Sequence, residues 1–312
     1  MHNNWFFIAL IPPILWSIVN HVDKYILSRH FKGSSLGGIF LFSSLFSIVV
    51  LIFISPFLSD SFFDVPFAHI LLLLFVGALN ACAFFLYLKA INEEEASIVV
   101  PLLQMIPVFG YLLGYPILGE VLSSQQILAA IIIMIGVSIL SIDFDIDNNK
   151  FSVKKRILLL VGGSSFLFAL HDVLFKTVTD ENHFLISAFW QNSGLVIVGS
   201  LVFIFHKVYR KQFIEIFIAN NAKALSLNII SEVLYTIGSL ANSFATLLAP
   251  VALVLIISSY QPLFVFVIGT LLTMFLPIIS SEKVTLKHLL QKILSIIIII
   301  IGSYLLYSFS TY

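Results

Sequence analysis

Five polar side chains recur at intervals of three and four in one apolar stretch: Glu232, Tyr235, Ser239, Asn242 and Thr246. In a helix that spacing puts all five on one face. A face carrying a carboxylate, a phenol, an amide and two hydroxyls is suited to line a polar cavity. Ionisable groups at membrane depth are costly, and they face a cavity or one another. A carboxylate there can take up and release a proton, which makes Glu232 the first candidate for proton coupling. Polar side chains also hold membrane helices together through hydrogen bonds. Packing is therefore the competing role for each Ser, Asn or Gln, and a buried structural pair for Glu232.

Shorter stripes of the same kind occur elsewhere. Ser17, Asn20, His21 and Lys24 form one beside Trp16, and Ser165, Ala169, Asp172 and Lys176 form another. Gln104, Val108, Tyr111 and Tyr115 make a third, Asn80 and Tyr87 a weaker fourth, and Ser258, Tyr260 and Gln261 gather next to Pro262. Asp172 is the second candidate for proton coupling. His21 and His171 each lie near an acid, Asp23 and Asp172, where a relay and a hydrogen-bonded structural histidine are equally consistent. Lys24 and Lys176 lie near stretch ends, where a long side chain reaching the interface also accounts for them. Pro107 and Pro262 fall inside apolar stretches, where each removes a backbone hydrogen bond and permits a kink or gate.

Other chemistry lacks its motifs. Asp143, Asp145 and Asp147 imitate the start of a calcium loop, but Asn148 replaces the turn glycine and Lys154 stands where the bidentate Glu belongs. There is no phosphate-binding P-loop, no His-Glu-x-x-His and no Cys-x-x-Cys. No catalytic residue, metal or cofactor is expected, and the chain reads as no enzyme. The single cysteine, Cys82, reads as a small core residue of an apolar helix.

The elements that must carry these residues follow from composition. Of 312 residues, 60% are hydrophobic and only 10% charged, with a mean hydropathy of +1.08. A water-facing surface needs about 25% charge, so lipid must be the solvent for most side chains. Zero net charge argues against nucleic acid as a partner. Apolar stretches predict spans at about 5–27, 36–58, 67–91, 96–118, 124–142, 156–176, 184–207, 225–247, 250–275 and 286–308. Runs such as 70–76 and 296–301 do not alternate, which excludes a barrel. The N-terminal stretch has neither a basic lead nor a small-residue cleavage site, so it reads as the first span.

The two halves of the chain repeat. Trp16, Asn20 and Lys24 match Phe168, Asp172 and Lys176 at a constant offset of 152 residues, and Ala90, Pro107 and Phe109 match Ala245, Pro262 and Phe264 at 155. Gly136 and Gly302 occupy like places in the last stretch of each half. Two copies with an odd number of spans must enter the bilayer from opposite sides, as in inverted-repeat transporters. The expected fold is therefore an all-α integral membrane protein of ten transmembrane helices in two inverted five-helix repeats, 1–145 and 156–312, joined by a polar linker at 146–155. All but one of the 16 Lys and Arg residues lie in connections after odd-numbered spans. The exception is Lys176. Basic residues mark cytoplasmic loops, so odd loops are expected inside and both termini outside.

These residues resemble the EamA-type members of the drug/metabolite transporter superfamily. The resemblance rests on the first-span pattern Trp16 to Lys24, on Ala96-Ser97-Ile98-Val99-Val100-Pro101 followed by Pro107, and on Leu118-Gly119-Glu120 leading into Gln125-Gln126 and the Gly136 helix. The second half departs, with Ser281-Glu282 where Leu-Gly-Glu would stand. The resemblance implies a central cavity lined by spans 1, 3, 4, 6, 8 and 9, with spans 5 and 10 peripheral. It also implies cytoplasmic termini, against the charge count, which we follow. The functional expectation is a secondary transporter in the inner membrane, moving a small metabolite such as an amino acid or nucleobase by alternating access, with proton coupling or exchange. Its partners are that substrate and the lipid bilayer, and it acts as a monomer or homodimer. Flipping of a lipid-linked molecule is the alternative within transport, and a non-transporting receptor or membrane enzyme is the alternative outside it.

Overall fold

Apolar runs broken by short polar segments become helices in the computed structural model, which describes residues 4–29, 36–93, 99, 102–141, 155–181, 183–218, 222–275 and 286–309. In chain order these are α1 (Asn4–Arg29), α2 (Leu36–Ile54), two short 3-10 turns (Ser55–Phe57 and Asp60–Asp64), α3 (Phe67–Glu93), α4 (Met105–Leu118) and α5 (Ser124–Ser141). There follow α6 (Lys155–Val178), α7 (Phe184–Phe205), α8 (Lys207–Ile218), α9 (Ala222–Leu248), α10 (Val251–Ser258), α11 (Gln261–Phe275) and α12 (Leu286–Phe309). Among the described residues there is no strand. Among the described residues, seven segments are long and apolar enough to cross a membrane: those of α1, α2, α3, α6, α7, α10 with α11, and α12. The apolar helices α4 and α5 are shorter. The 27 residues of α9 would span by length, but its polar stripe dilutes the hydropathy.

Three details add to or correct the sequence reading. Between the spans expected at 184–207 and 225–247 a further helix, α8, forms and packs on α2, where the Gly37 N–H donates to Gln212 Oε1 at 3.1 Å. Cys82 is exposed rather than in the core, on the face of α3 turned away from its helix neighbours. Pro107 and Pro262 each follow a local interruption of the helix. Each sits in the first turn of a helix that starts anew, α4 after a turn at Leu103–Gln104 and α11 after a turn at Ser259–Tyr260. In a first turn proline has no intrahelical N–H partner to lose. The expected linker at 146–155 and the pseudo-calcium aspartates fall almost wholly outside the described residues.

Packing partners recur in a pattern. α1 lies against α9 and α3 against α6; α4 meets α6 while α1 meets α10 and α11; and α2 pairs with α7, α4 with α10 and α5 with α12. Glycines set two of these crossings. A Cβ on Gly136 would come within 2.8 Å of Ile299 Cγ1, and one on Gly302 within 2.7 Å of Ile133 Cγ1, so α5 and α12 interlock reciprocally. α3 and α7 come closer still: a Cβ on Gly77 would stand 2.1 Å from the Gln191 carbonyl oxygen, and one on Gly194 2.2 Å from that of Leu74. Small residues permit such backbone approach in lipid, where dispersion and polar contacts replace the hydrophobic drive between helices. The largest core gathers α10 (Leu253, Val254, Ile256, Ile257) with Trp5 and Ala9 of α1, Ile133 and Val137 of α5, and Ile299 and Leu306 of α12.

Candidate functional site

The Gly77–Gly194 crossing places the polar residues one turn away. Asn80 follows Gly77 on α3, Gln191 and Asn192 precede Gly194 on α7, and all three face a cavity between α2, α3, α7 and α9. Its volume is about 50 Å³. From α2 it receives Ser43, Ser44 and Ser47, and from α9 Glu232, Tyr235, Thr236, Ser239 and Ser243. Phe84, Leu195 and Leu240 supply its apolar patches. Glu232 accepts a hydrogen bond from the Ser43 hydroxyl across the α2–α9 gap. The first three members of the α9 stripe thus meet in one cavity, while Asn242 and Thr246 lie deeper and buried.

Trp16 closes the side of this site toward α1. Its indole stacks on the Tyr235 ring, with centroids 5.9 Å apart, and donates to the Tyr235 carbonyl oxygen at 3.3 Å. Gly238 makes room for it, since a Cβ there would lie 2.6 Å from Trp16 Nε1. Tyr87 is half-buried and stacks on the lining residue Phe84.

Behind the cavity wall runs a chain of buried polar groups. Gln191 contacts His171 Nε2 at 2.9 Å, and His171 Nδ1 contacts Asp172 Oδ1 at 3.1 Å. A neutral imidazole that accepts at Nε2 and donates from Nδ1 satisfies both contacts. The Asn242 amide donates to the Asp172 carboxylate at 3.3 and 3.4 Å, and its own carbonyl accepts from Ser258 at 2.8 Å. The chain therefore links the cavity, through α6 and α9, to the end of α10 where the helix breaks. Buried charge in such a medium is tolerated only when hydrogen-bonded in this way.

A third polar cluster sits at the helix ends near residue 120. Gly119, with φ of +70°, takes the left-handed conformation that ends α4, and its N–H bonds back to the Tyr115 carbonyl at 3.1 Å. That turn directs Glu120 to Lys176 Nζ at 2.7 Å and to the Val251 N–H at 2.8 Å, capping the start of α10. Lys176 also donates to the Ala249 carbonyl at 2.7 Å. The Leu-Gly-Glu motif is thereby a helix stop followed by an ionic anchor.

The remaining candidates take other places. Asn20 is exposed. His21 is buried against the Val265 carbonyl at 3.0 Å, and the side chain of Lys24 lies outside the described residues. Gln104 is buried in the turn before α4, its Oε1 without a hydrogen-bond partner among the described residues. Tyr111 packs on the α10 core beside Tyr115. Tyr260 is buried with its hydroxyl on Ser303, and Gln261 is half-buried at the start of α11. Of the lining implied by the family resemblance, α3 and α9 contribute to this cavity, and α2 and α7 supply the rest. Trp16 fills the α1 side, while Asp172 of α6 is turned to Asn242. Sequence reading missed Ser43, Ser44, Ser47, Gln191 and Asn192. Their signal was polar residues in the middle of spans 2 and 7, without a long stripe.

Residues 3–142 match the EamA-like transporter family. A solved crystal structure of a protein 13% identical to this chain shares its fold, with a TM-score of 0.67 over 98% of this chain and 96% of that one. No curated protein is a significant match to the sequence. The resemblance to the EamA-type transporters of the drug/metabolite superfamily thus holds, and it is a resemblance to transporters rather than to enzymes. Together with the membrane-capable helices it describes a multi-pass membrane protein whose surroundings are lipid.

Proposed function

We propose that this protein is a secondary active transporter that moves a small polar metabolite across the inner membrane by alternating access. In this reading α4, α5 and α9 complete ten spans, arranged as inverted halves 1–145 and 156–312 about the linker 146–155. The packing pattern supports it. Numbering the spans one to ten, exchanging each span with the one five later turns the α1–α9 contact into α6–α3 and the α4–α6 contact into that of α10 and α11 with α1. The α2–α7, α4–α10 and α5–α12 contacts map onto themselves. Helix breaks before Pro107 and Pro262 at corresponding places support it further, because discontinuous helices at the repeat interface build such binding sites.

The observation that carries the proposal is the cavity itself. It is shared by spans 2 and 3 of one half and their counterparts 7 and 8 of the other, and it holds one carboxylate, Glu232, among neutral hydrogen-bonding groups. Motion of one half against the other would open such a site to alternate faces. Glu232 and Asp172 are the proton-coupling groups of this reading, with the odd loops cytoplasmic.

The test is reconstitution of the full chain into liposomes with a trapped pH-sensitive dye. Metabolites of each charge class are added in turn while proton movement and uptake are followed. Saturable uptake that is lost in Glu232→Gln, with the variant still inserted and monodisperse, is the expected result. Uptake unchanged in that variant removes Glu232 from the mechanism. Absence of any solute transport, with labelled lipid scrambled instead, would overturn the metabolite reading in favour of flipping.

A further inference from the structure

We propose that α8 is an interfacial helix whose outer face binds the headgroup phosphates of anionic phospholipids. None of the cavity's described lining residues belongs to α8, so the assignment holds whatever solute the cavity takes.

His206 fixes where α8 lies. The membrane-capable stretch of α7 ends at Phe205, and α8 begins two residues later at Lys207. Between them His206 closes α7, its N–H donating to the Val202 carbonyl at 2.9 Å. It also opens α8, its carbonyl accepting from the Arg210 N–H at 3.0 Å and its Nδ1 from the Tyr209 N–H at 3.3 Å. The imidazole then stacks on the Tyr209 ring, with centroids 3.8 Å apart. This turn folds α8 back onto the bundle. Phe213 meets Phe203, in the last turn of α7, edge-on at 5.8 Å, and Tyr209 lies 6.2 Å from Phe85 of α3. A Cβ on Gly37, at the start of α2, would stand 2.2 Å from the Tyr209 ring. One face of α8 is therefore seated on three membrane helices at the point where an apolar span stops, which is the level of the headgroups.

The opposite face carries the charge. Lys207, Lys211 and Ile214 fall at intervals of four and three, opposite Tyr209, Gln212, Phe213 and Ile216, with Arg210 and Val208 on the two flanks. The Lys211 side chain is 79% exposed, and Lys207, Val208 and Ile214 are exposed beside it. The one acid of α8, Glu215, reaches Lys211 only at 3.9 Å, and an exposed pair of that kind contributes little. Water suits the lysines but not Val208, Ile214 or the exposed Phe205 at the entrance to the helix. Hydrocarbon suits those three but not the lysines. The headgroup layer takes both, because apolar side chains dip toward the acyl boundary while lysine stems reach out to phosphate. A zwitterionic headgroup cancels its phosphate with its own ammonium, so the attraction selects lipids with net negative charge. The hold is transmitted inward. Gln212 accepts from the Gly37 N–H at 3.1 Å, so lipid on α8 braces the helix that brings Ser43, Ser44 and Ser47 to the cavity.

The experiment measures lipid choice by the full chain. The protein is reconstituted in phosphatidylcholine vesicles with a trace of spin-labelled phosphatidylglycerol or spin-labelled phosphatidylcholine, and the immobilised fraction of each label is read by electron paramagnetic resonance. The wild type should favour phosphatidylglycerol by about threefold or more. Combined Lys207→Gln, Arg210→Gln and Lys211→Gln should erase most of that preference, whereas Lys207→Arg with Lys211→Arg should keep it. Combined Lys150→Gln, Lys154→Gln and Lys155→Gln, which removes as much charge from another connection, should also keep it. High salt should weaken the preference in the wild type, a test that needs no variant to fold. Equal immobilisation of the two lipids by the wild type overturns the proposal. So does a preference that survives the α8 substitutions or high salt, or one lost as fully on changing 150, 154 and 155. Disulfide-linked dimers of Lys211→Cys in a Cys82→Ser background, in place of lipid selection, would assign the face to a second copy of the chain and overturn the lipid assignment.

Discussion

The two single removals of the Glu120–Lys176 pair should together destabilise the protein by more than removing both partners at once. The two groups meet at 2.7 Å with side chains only 12% and 20% exposed. Coulomb attraction at that separation is about 1.5 kcal/mol in bulk water and about 6 kcal/mol at an effective dielectric near 20. Desolvation offsets much of the larger figure. The pair also holds backbone: Glu120 caps Val251 and Lys176 binds the Ala249 carbonyl, so both anchor the α9–α10 turn. Lys176→Met leaves a largely buried carboxylate with one N–H partner, and Glu120→Gln leaves an ammonium with one carbonyl. Each single change should cost about 3 kcal/mol, within the range for breaking buried pairs, and lower Tm by roughly 6 °C or more. The double variant should cost about 4 kcal/mol rather than the sum, giving a coupling near 2 kcal/mol. Unfolding of all four proteins in one detergent supplies the cycle. Additive single effects, with coupling below about 0.5 kcal/mol, would show the pair to behave as an exposed surface bridge and refute its role as an anchor between α4, α6 and α10.

Three further outcomes follow from backbone geometry and charge. Gly194→Ala places a methyl 2.2 Å from the Leu74 carbonyl oxygen, so α3 and α7 must separate; a loss of about 3 kcal/mol is expected, with ligand binding weakened too, and an unchanged Tm would contradict the crossing. Gly119→Ala meets nothing within 4 Å but must hold φ at +70°, so its cost is strain alone, about 1 kcal/mol, and a much larger drop in unfolding free energy would point to contacts that the structure does not contain. Single cysteines at Ser61 and Ser152, introduced in a Cys82→Ser background, report sidedness in intact cells: an impermeant maleimide should label position 61 and spare 152, and the reverse pattern inverts the orientation.

The helices were legible because lipid imposes one pattern on every span: some twenty apolar residues with few charges. That rule placed the stretches that became α1, α2, α3, α6 and α7, and the polar stripe of α9 marked a cavity face through its spacing alone. It failed where tertiary contact decides. Pro107 and Pro262 mark the neighbourhood of a helix interruption, but spacing did not give its place, a few residues before each proline. The lining from α2 and α7 was not readable, since Ser43 and Ser47 reach the cavity through the pairing of α2 with α7, and Gln191 and Asn192 where Gly77 and Gly194 let α3 and α7 touch. A glycine in an apolar run reveals that some helix approaches closely, but not which one. The identity of the partner is fixed by the three-dimensional crossing, and here that crossing brings Asn80 and Gln191 to one space with Glu232, while Gln191 also bonds across to His171. Spacing thus exposes the α9 face of the cavity, but part of the opposite wall is set by two residues with no side chain at all.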